Sequence, residues 1–185
     1  MKTTFGNKHF HLSSNAFLGI VCAVAIGLFL LLFFLLKPSQ TTGVVDEISN
    51  ISQNIRTHFQ KKMDYRGLDT NFAIKNNIVT PEKIRANKIY SKNRSEILIG
   101  RDTAGNAVMP TQSLFGITYL NLDRNKCKKM LTSKFDASFG LVSITLENED
   151  SSYEFTYGGS LPLPVSSENA KKYCGAKNTV MFTFE

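Results

Sequence analysis

The segment 16–36 is an unbroken run of 21 apolar residues that carries no charge, AFLGIVCAVAIGLFLLLFFLL. As a helix rising about 1.5 Å per residue, the run spans roughly 31 Å, which matches the hydrocarbon core of a bilayer. It is too long for the apolar part of a secretory signal, and no small-residue cleavage pattern follows it. A buried core helix is the alternative, but Leu and Phe on every face leave no side for water. The run therefore predicts one transmembrane helix.

Charge predicts how the two flanks of this run are oriented. Residues 37–185 as a whole contain 20 bases and 15 acids. Next to the run, however, residues 1–15 contain Lys2 and Lys8 and no acid, whereas the other flank has Lys37 followed by Asp46 and Glu47. Because the flank with the excess of Lys and Arg tends to stay in the cytoplasm, we expect a cytoplasmic N-terminal flank at 1–15. The 149 residues after the run are enough for one domain with its own core. The excess of bases is moderate and lies in no nucleic-acid-binding motif, so we expect no nucleic-acid partner, although such a surface tolerates anionic lipid or polymer.

The three cysteines fall in two settings. Cys22 lies inside the apolar run, while Cys127 and Cys174 lie in Lys-rich segments of the later domain. Cys127 and Cys174 are 47 positions apart, which is unlike the short CxxC spacing of metal sites. A domain outside the cytoplasm most simply pairs two such cysteines, and two separate buried thiols are the alternative.

From residue 44 onward, apolar residues recur every three or four positions, which is the period of one helix face. This stripe consists of Val44, Ile48, Ile51, Ile55 and Phe59. We predict an amphipathic helix over 44–63, which follows a membrane-exit segment at 37–43. The polar residues between the stripe positions, Glu47 and Arg56 among them, are assigned to the solvent side. Because a lone amphipathic helix is not stable in water, the stripe must pack on a sheet or on another helix.

After residue 64 the pattern changes to short elements. Asp69 or Thr70 can cap a short helix, and the hydroxyl of Thr80 before Pro81 predicts the start of another. A capped helix is predicted from Asp123 to Leu131, and Ser166-Ser167 predicts the start of another short helix that ends at 174. Strands are predicted at 88–91, 96–99, 105–108, 114–119, 141–146, 153–157 and 179–184. Helices first and strands later indicate an antiparallel α+β domain over 44–185, not a series of βαβ units.

Residues suited to catalysis are few and scattered. His9, His11 and His58 have no acid or nucleophile that the sequence places beside them. Gly158-Gly159 lacks the Lys-Ser/Thr of a phosphate-binding loop. The acidic turn at 147–150 favours solvation over calcium binding. We therefore expect no catalytic residue, no metal site and no cofactor.

Several short motifs in this domain resemble the type IVb pilins, in particular the PilS-like pilins of thin pili, conjugation and related bacterial secretion systems. The motifs, in chain order, are ISQNIR at 51–56, YRGL at 65–68, IVTPEKI at 78–84, FGITY at 115–119 and NTVMF at 178–182, which follows Cys174. The resemblance implies a pilin-like fold, in which a long helical spine packs on an antiparallel sheet, and a Cys127–Cys174 disulfide. It also implies a structural protein of the bacterial inner membrane with a periplasmic domain, or of an extracellular pilus. Its expected partners are membrane lipid and other pilin subunits or proteins of the machinery.

The N-terminus departs from the pattern of that family. Its prepilins are cut after a Gly directly before the apolar run, and a Glu follows five residues later. Here Gly6 is the candidate cleavage residue, nine residues separate it from Ala16, and His11 stands at the position of the Glu.

Three hypotheses stay open. The first is a pilin-like subunit that uses its long helix as a packing spine. The second is an unprocessed single-pass protein whose pilin-like domain binds a partner in a secretion or pilus-assembly machine. The third, a DNA-capturing pilin, has only the charge of the domain in its favour.

Overall fold

One antiparallel sheet organises the part of the chain that the structure, a computed structural model, describes: residues 42–62, 64–100, 113–136 and 139–185. Its strands are β1 (Ile84–Arg85), β2 (Lys88–Tyr90), β3 (Glu96–Gly100), β4 (Phe115–Leu122), β5 (Leu141–Asn148), β6 (Ser152–Thr156) and β7 (Asn178–Phe184). The α-helices in these ranges are α1 (Thr42–Phe59), α2 (Thr70–Lys75), α3 (Arg124–Leu131) and α4 (Ser167–Tyr173), and a 3₁₀ turn spans Pro81–Lys83.

The strands follow the spatial order β1-β2-β3-β4-β7-β5-β6. The last strand of the chain, β7, thus lies between β4 and β5 and pairs with both in antiparallel register. Phe182 in β7 is opposite Ile117 in β4 and opposite Ile144 in β5. All three side chains are buried. The centre of the sheet therefore joins residues that are distant in the sequence, and its side chains form the middle of the core.

The prediction of an antiparallel α+β domain is confirmed. Helix α1 carries the predicted stripe but ends at Phe59, four residues before the predicted end, and it begins at Thr42 inside the predicted exit segment. Asp69 caps α2 by accepting a hydrogen bond from the Phe72 amide at 2.6 Å. Thr80 makes no such side-chain cap, and the helix after it is one 3₁₀ turn. The strand predicted at 105–108 lies outside the described residues.

Two features of the strands were not predicted. The short strand β1 pairs with β2 through a two-residue turn at Ala86 and Asn87, whose φ angles are 47° and 58°. Turns with two positive φ angles favour Asn-Gly or Asp-Gly, and this turn contains no glycine that would reveal it. Strand β4 also runs three residues beyond its predicted end. A bulge with Asn121 at φ 55° lets Leu122 pair with Asn178 of β7.

Candidate functional site

The first candidate site is the buried stripe of α1. Each of its five members is at most 7% exposed, and all five belong to the same hydrophobic core as the central strands: Val44, Ile48, Ile51, Ile55 and Phe59. The aromatic ring of Phe59 lies 5.5 Å from that of Tyr65, which in turn lies 4.6 Å from the ring of Phe115 in β4. A chain of ring contacts therefore links the end of α1 to the middle of the sheet.

Arg56 forms a polar clamp at the same end of α1. Its Nε donates a hydrogen bond to the backbone oxygen of Glu185 at 2.9 Å, and its Nη2 donates to the backbone oxygen of Phe139. The guanidinium carbon also lies 5.8 Å from the ring centroids of Phe115 and Phe184. The Arg56 side chain, which was predicted to face solvent, thus holds α1 against β4 and β7, because cations are attracted to aromatic faces.

The prediction that Glu47 faces solvent is also wrong. This residue is 5% exposed, and its carboxylate forms an ion pair with the Lys83 ammonium of the 3₁₀ turn. Burial of Tyr119 and, to a smaller degree, the charge of Glu47 raise the pKa of the Tyr119 hydroxyl well above its ordinary value. The start of α1 is therefore fixed by a buried charged pair beside the sheet.

The spacing of the stripe contains a signal for the burial of Glu47. Residue 47 stands three positions after Val44 and four before Ile51, so it falls on the same helix face as the stripe. Ser52 stands four positions after Ile48 and three before Ile55, on the same face, and is fully buried. Periodicity placed both residues at the interface, and only their polarity argued for solvent.

The second candidate site is the region bounded by the two cysteines. Cys127 on α3 and Cys174 directly after α4 are joined by a disulfide, with an S–S distance of 1.99 Å, across 47 residues of sequence. Both cysteines are buried. The predicted pairing is therefore confirmed, and the covalent loop encloses β5, β6 and α4. We call residues 127–174 the disulfide-bounded region.

Two asparagine side chains attach the end of this region to the sheet. The amide group of Asn178 donates to the backbone oxygens of Leu122 at 3.0 Å and Gly175 at 3.1 Å, and its oxygen accepts from the Gly175 amide at 2.7 Å. Asn148 at the end of β5 donates to the backbone oxygen of Tyr173 at 3.0 Å. These contacts join elements that no local pattern connects, so sequence reasoning missed them.

Capping residues set the starts of the two helices that carry the disulfide, as predicted. One carboxylate oxygen of Asp123 accepts from the amides of Lys126 at 2.9 Å and Asn125 at 3.0 Å. Hydrogen bonds from the α3 backbone, above all from Lys126, lower the pKa of the Asp123 carboxyl below its usual value. The Ser166 hydroxyl caps α4 by accepting from the Asn169 amide at 3.1 Å.

The described residues do not bring catalytic groups together. Among them, no three His, Cys, Asp or Glu side chains are close enough to hold a metal ion. His58 is exposed, and its ring packs against Phe72 at 5.1 Å between centroids. In the acidic turn, the Asn148 side-chain oxygen accepts from the amides of Asp150 and Ser151. This turn is therefore organised by an amide side chain, not by its carboxylates.

The predicted N-terminal features lie outside the described residues. These features are the candidate cleavage residue Gly6, the transmembrane helix at 16–36 and most of the exit segment at 37–43. In the ranges that the structure does describe, no helix combines the length and the hydrophobicity needed to cross a bilayer.

Comparison with known proteins identifies the class to which this arrangement belongs. A long helix packed on an antiparallel sheet, with a disulfide near the end of the chain, is the arrangement expected of a pilin. The model of the bundlin family matches residues 37–184. The chain therefore belongs to the bundlin family, a family of type IVb pilins.

Two crystal structures have a similar fold. A type IVb pilin from Salmonella typhi aligns with a TM-score of 0.51 and 17% identity, over 78% of this chain and 96% of that chain. TcpA, a type IV pilin from Vibrio cholerae El Tor biotype, aligns with a TM-score of 0.51 and 14% identity, over 80% of this chain and 100% of that chain. No curated protein matches the sequence significantly.

Proposed function

We propose that the chain is a type IVb pilin-like subunit of a bacterial pilus, conjugation or secretion system, anchored in the inner membrane by residues 16–36. The observation that carries this proposal is the burial of the α1 stripe. The stripe lies within the residues that match the family model, and this match begins at residue 37, directly after the apolar run. A helix that leaves a membrane and then buries one face in a sheet provides a rigid support for a domain outside the membrane. In this proposal residues 44–185 lie in the periplasm.

In this proposal α1 is the spine of the subunit. Val44, Ile48, Ile51, Ile55 and Phe59 seat the sheet on it, and Arg56 locks its far end to β4 and β7. Burying five large apolar side chains stabilises such an interface by about 1.5–3 kcal/mol for each residue. The role of the domain is then structural, and its partners are membrane lipid and other pilin subunits or machinery proteins.

The alternative is an unprocessed single-pass protein whose periplasmic domain binds a partner in an assembly machine. The observation that favours it is the position of Gly6, which is separated from Ala16 by nine residues and is followed by His11 instead of an acid. Without cleavage, the charged flank would stay in the cytoplasm and the helix could not leave the membrane to enter a filament.

N-terminal sequencing of the protein isolated from membranes separates the two functions. A chain that starts at Asn7, or at any residue up to Ala16, supports the subunit, whereas an intact Met1 supports the single-pass protein. If the chain starts at Asn7, the variant Gly6→Val should abolish cleavage, and Gly19→Val inside the apolar run is the matched control that should not. Extraction of membranes with alkaline carbonate tests the anchor separately, because a protein released by this treatment is not embedded in lipid.

A further inference from the structure

Two neighbouring grooves at one end of the domain contain more bases than acids. A groove of about 510 Å³ lies at the start of α1, where Gly43 and Val44 form part of its wall. The β2–β3 turn and the first turns of α3 form the rest. Its bases are Lys92, Arg124, Lys126 and Lys129. On the other side of Lys92 a second groove, of about 410 Å³, adds three further bases: Lys83, Arg85 and Arg94. We call the two grooves together the basic end.

This end carries most of the net charge of the domain. Its seven bases are accompanied by three acids, Glu47, Glu82 and Asp123, so its net charge is +4. The described residues from 42 onward contain 18 bases and 14 acids, which is also a net charge of +4. The described residues outside the basic end therefore have no net charge, although they include 11 bases.

The acids at this end are already engaged with the protein. Glu47 is paired with Lys83, and Asp123 accepts hydrogen bonds from the α3 backbone. Lys92 and Arg124 are exposed, and neither has an acid within salt-bridge distance among the described residues. Exposed bases without an internal acid are available to an external anion.

The length of the chain before the grooves suggests which anion this is. The apolar run ends at Leu36, and the wall of the first groove begins at Gly43. Even fully extended, the intervening chain spans at most about 25 Å. Each Lys or Arg close to an anionic membrane surface strengthens binding about fivefold, and this attraction falls off within the Debye length of about 8 Å.

We propose that the basic end docks on the phosphate groups of anionic lipids in the membrane that holds the same chain. This inference rests on the proposed anchor at 16–36. The docked domain stands with the start of α1 toward the lipid. Release from the lipid is then a step that precedes any use of this end by a protein partner.

A single tryptophan can report this contact, because the chain contains none. Asn93→Trp places the reporter at the exposed β2–β3 turn, and Tyr157→Trp is the control at the opposite edge of the sheet, where Tyr157 is 53% exposed. The full chain is reconstituted in vesicles of phosphatidylcholine, with or without phosphatidylglycerol, that contain a lipid with a spin-labelled headgroup. Phosphatidylglycerol should increase quenching of the first reporter only, and added salt should reverse the increase.

A charge-matched pair of variants tests the residues. Lys92→Gln/Arg94→Gln/Arg124→Gln should weaken the phosphatidylglycerol-dependent docking roughly a hundredfold, at about fivefold for each base. Lys61→Gln/Lys62→Gln/Lys75→Gln removes the same charge from exposed positions near the other end of α1 and should leave docking almost unchanged. Circular dichroism of both variants verifies that the fold is intact.

Three results would overturn the inference, and they are distinguishable. Protein that fails to float with phosphatidylcholine vesicles at high salt overturns the anchor and the docking together. Protein that floats, but is quenched equally with and without phosphatidylglycerol, overturns the docking alone. If inorganic phosphate abolishes the quenching and chloride at the same ionic strength does not, the grooves hold a discrete phosphate ion instead of a lipid surface.

Discussion

The α1 spine and the disulfide-bounded region are attached to the same sheet by different means. The spine is held by five large apolar side chains and by Arg56, all without a covalent link. The disulfide-bounded region is closed by one bond and by the side chains of Asn148 and Asn178. The spine interface thus depends on burial, which is independent of redox conditions, whereas the second region depends on an oxidising compartment.

Removing the disulfide should have the largest effect. Cys127→Ser and Cys174→Ser should each lower the free energy of unfolding by about 4 kcal/mol, since a closed loop of this length restricts the unfolded chain. Denaturant unfolding in detergent measures this loss, and Cys22→Ser is the control. Hydrogen exchange after reduction should rise in 141–174 and stay low in α1. Unequal effects of the two serine variants would contradict the pairing, and equal loosening of α1 would contradict the comparison.

Shortening a buried residue of the spine should come next. Ile55→Ala should cost about 3 kcal/mol, because it removes buried methyl groups and leaves a cavity that the helix and sheet cannot fully close. Ile55 is fully buried, whereas Gln53 on the same helix is exposed. Gln53→Ala is therefore the matched control, with an expected change near zero in the same unfolding measurement. A loss below about 1 kcal/mol for Ile55→Ala would place the spine interface outside the cooperative core.

Breaking the charged pair at the start of α1 should have an intermediate effect. Lys83→Met leaves the Glu47 carboxylate buried without its partner and should cost about 2 kcal/mol, less than for a fully buried pair because the Lys83 side chain is 21% exposed. Glu47→Gln in the same background should restore part of this loss. A double-mutant cycle measures the coupling, and additive losses would mean that the two charges do not stabilise each other.

The cap of α3 should contribute the least. Asp123→Ala should cost about 1 kcal/mol, while Asp123→Asn keeps the acceptor oxygen and should cost much less. Because the pKa of Asp123 is lowered in the folded state, its charge stabilises the fold above the unfolded pKa, and this contribution is lost as the pH falls through the folded pKa. The difference in the free energy of unfolding between the native protein and the Asn variant should therefore become smaller as the pH falls from neutral to acidic. A difference that does not change with pH would contradict a stabilising role for the charge of Asp123.

Local sequence patterns predicted most of the individual elements. The stripe of α1, the cap of Asp123 and the alternation of β5 each depend on residues within a few positions of one another, and the structure contains all three elements. The turn at Ala86 and Asn87 was missed because its residues are not those that such turns favour. The bulge at Asn121 was missed because it depends on pairing with a strand more than fifty residues later.

The polar contacts of the candidate site were harder to predict than its apolar ones. An apolar side chain gains free energy in any dry environment, so its burial follows from the period of the helix alone. A polar side chain such as Glu47 or Arg56 can be buried only where a partner reaches it, and the partners Lys83 and Glu185 belong to distant segments. The polarity of these side chains therefore favoured solvent for residues that the fold buries or half-buries.

Short-range geometry and residue chemistry are enough to predict the helical stripe, the caps at Asp69 and Asp123, the antiparallel α+β class and the two cysteines available for pairing. The folded chain alone reveals that β7 lies between β4 and β5, that Arg56 closes on both of the strands β4 and β7, and that seven bases line the grooves at the start of α1. These arrangements depend on which distant segments meet when the core is buried. The chain encodes that choice through the total free energy of packing, not through any single motif.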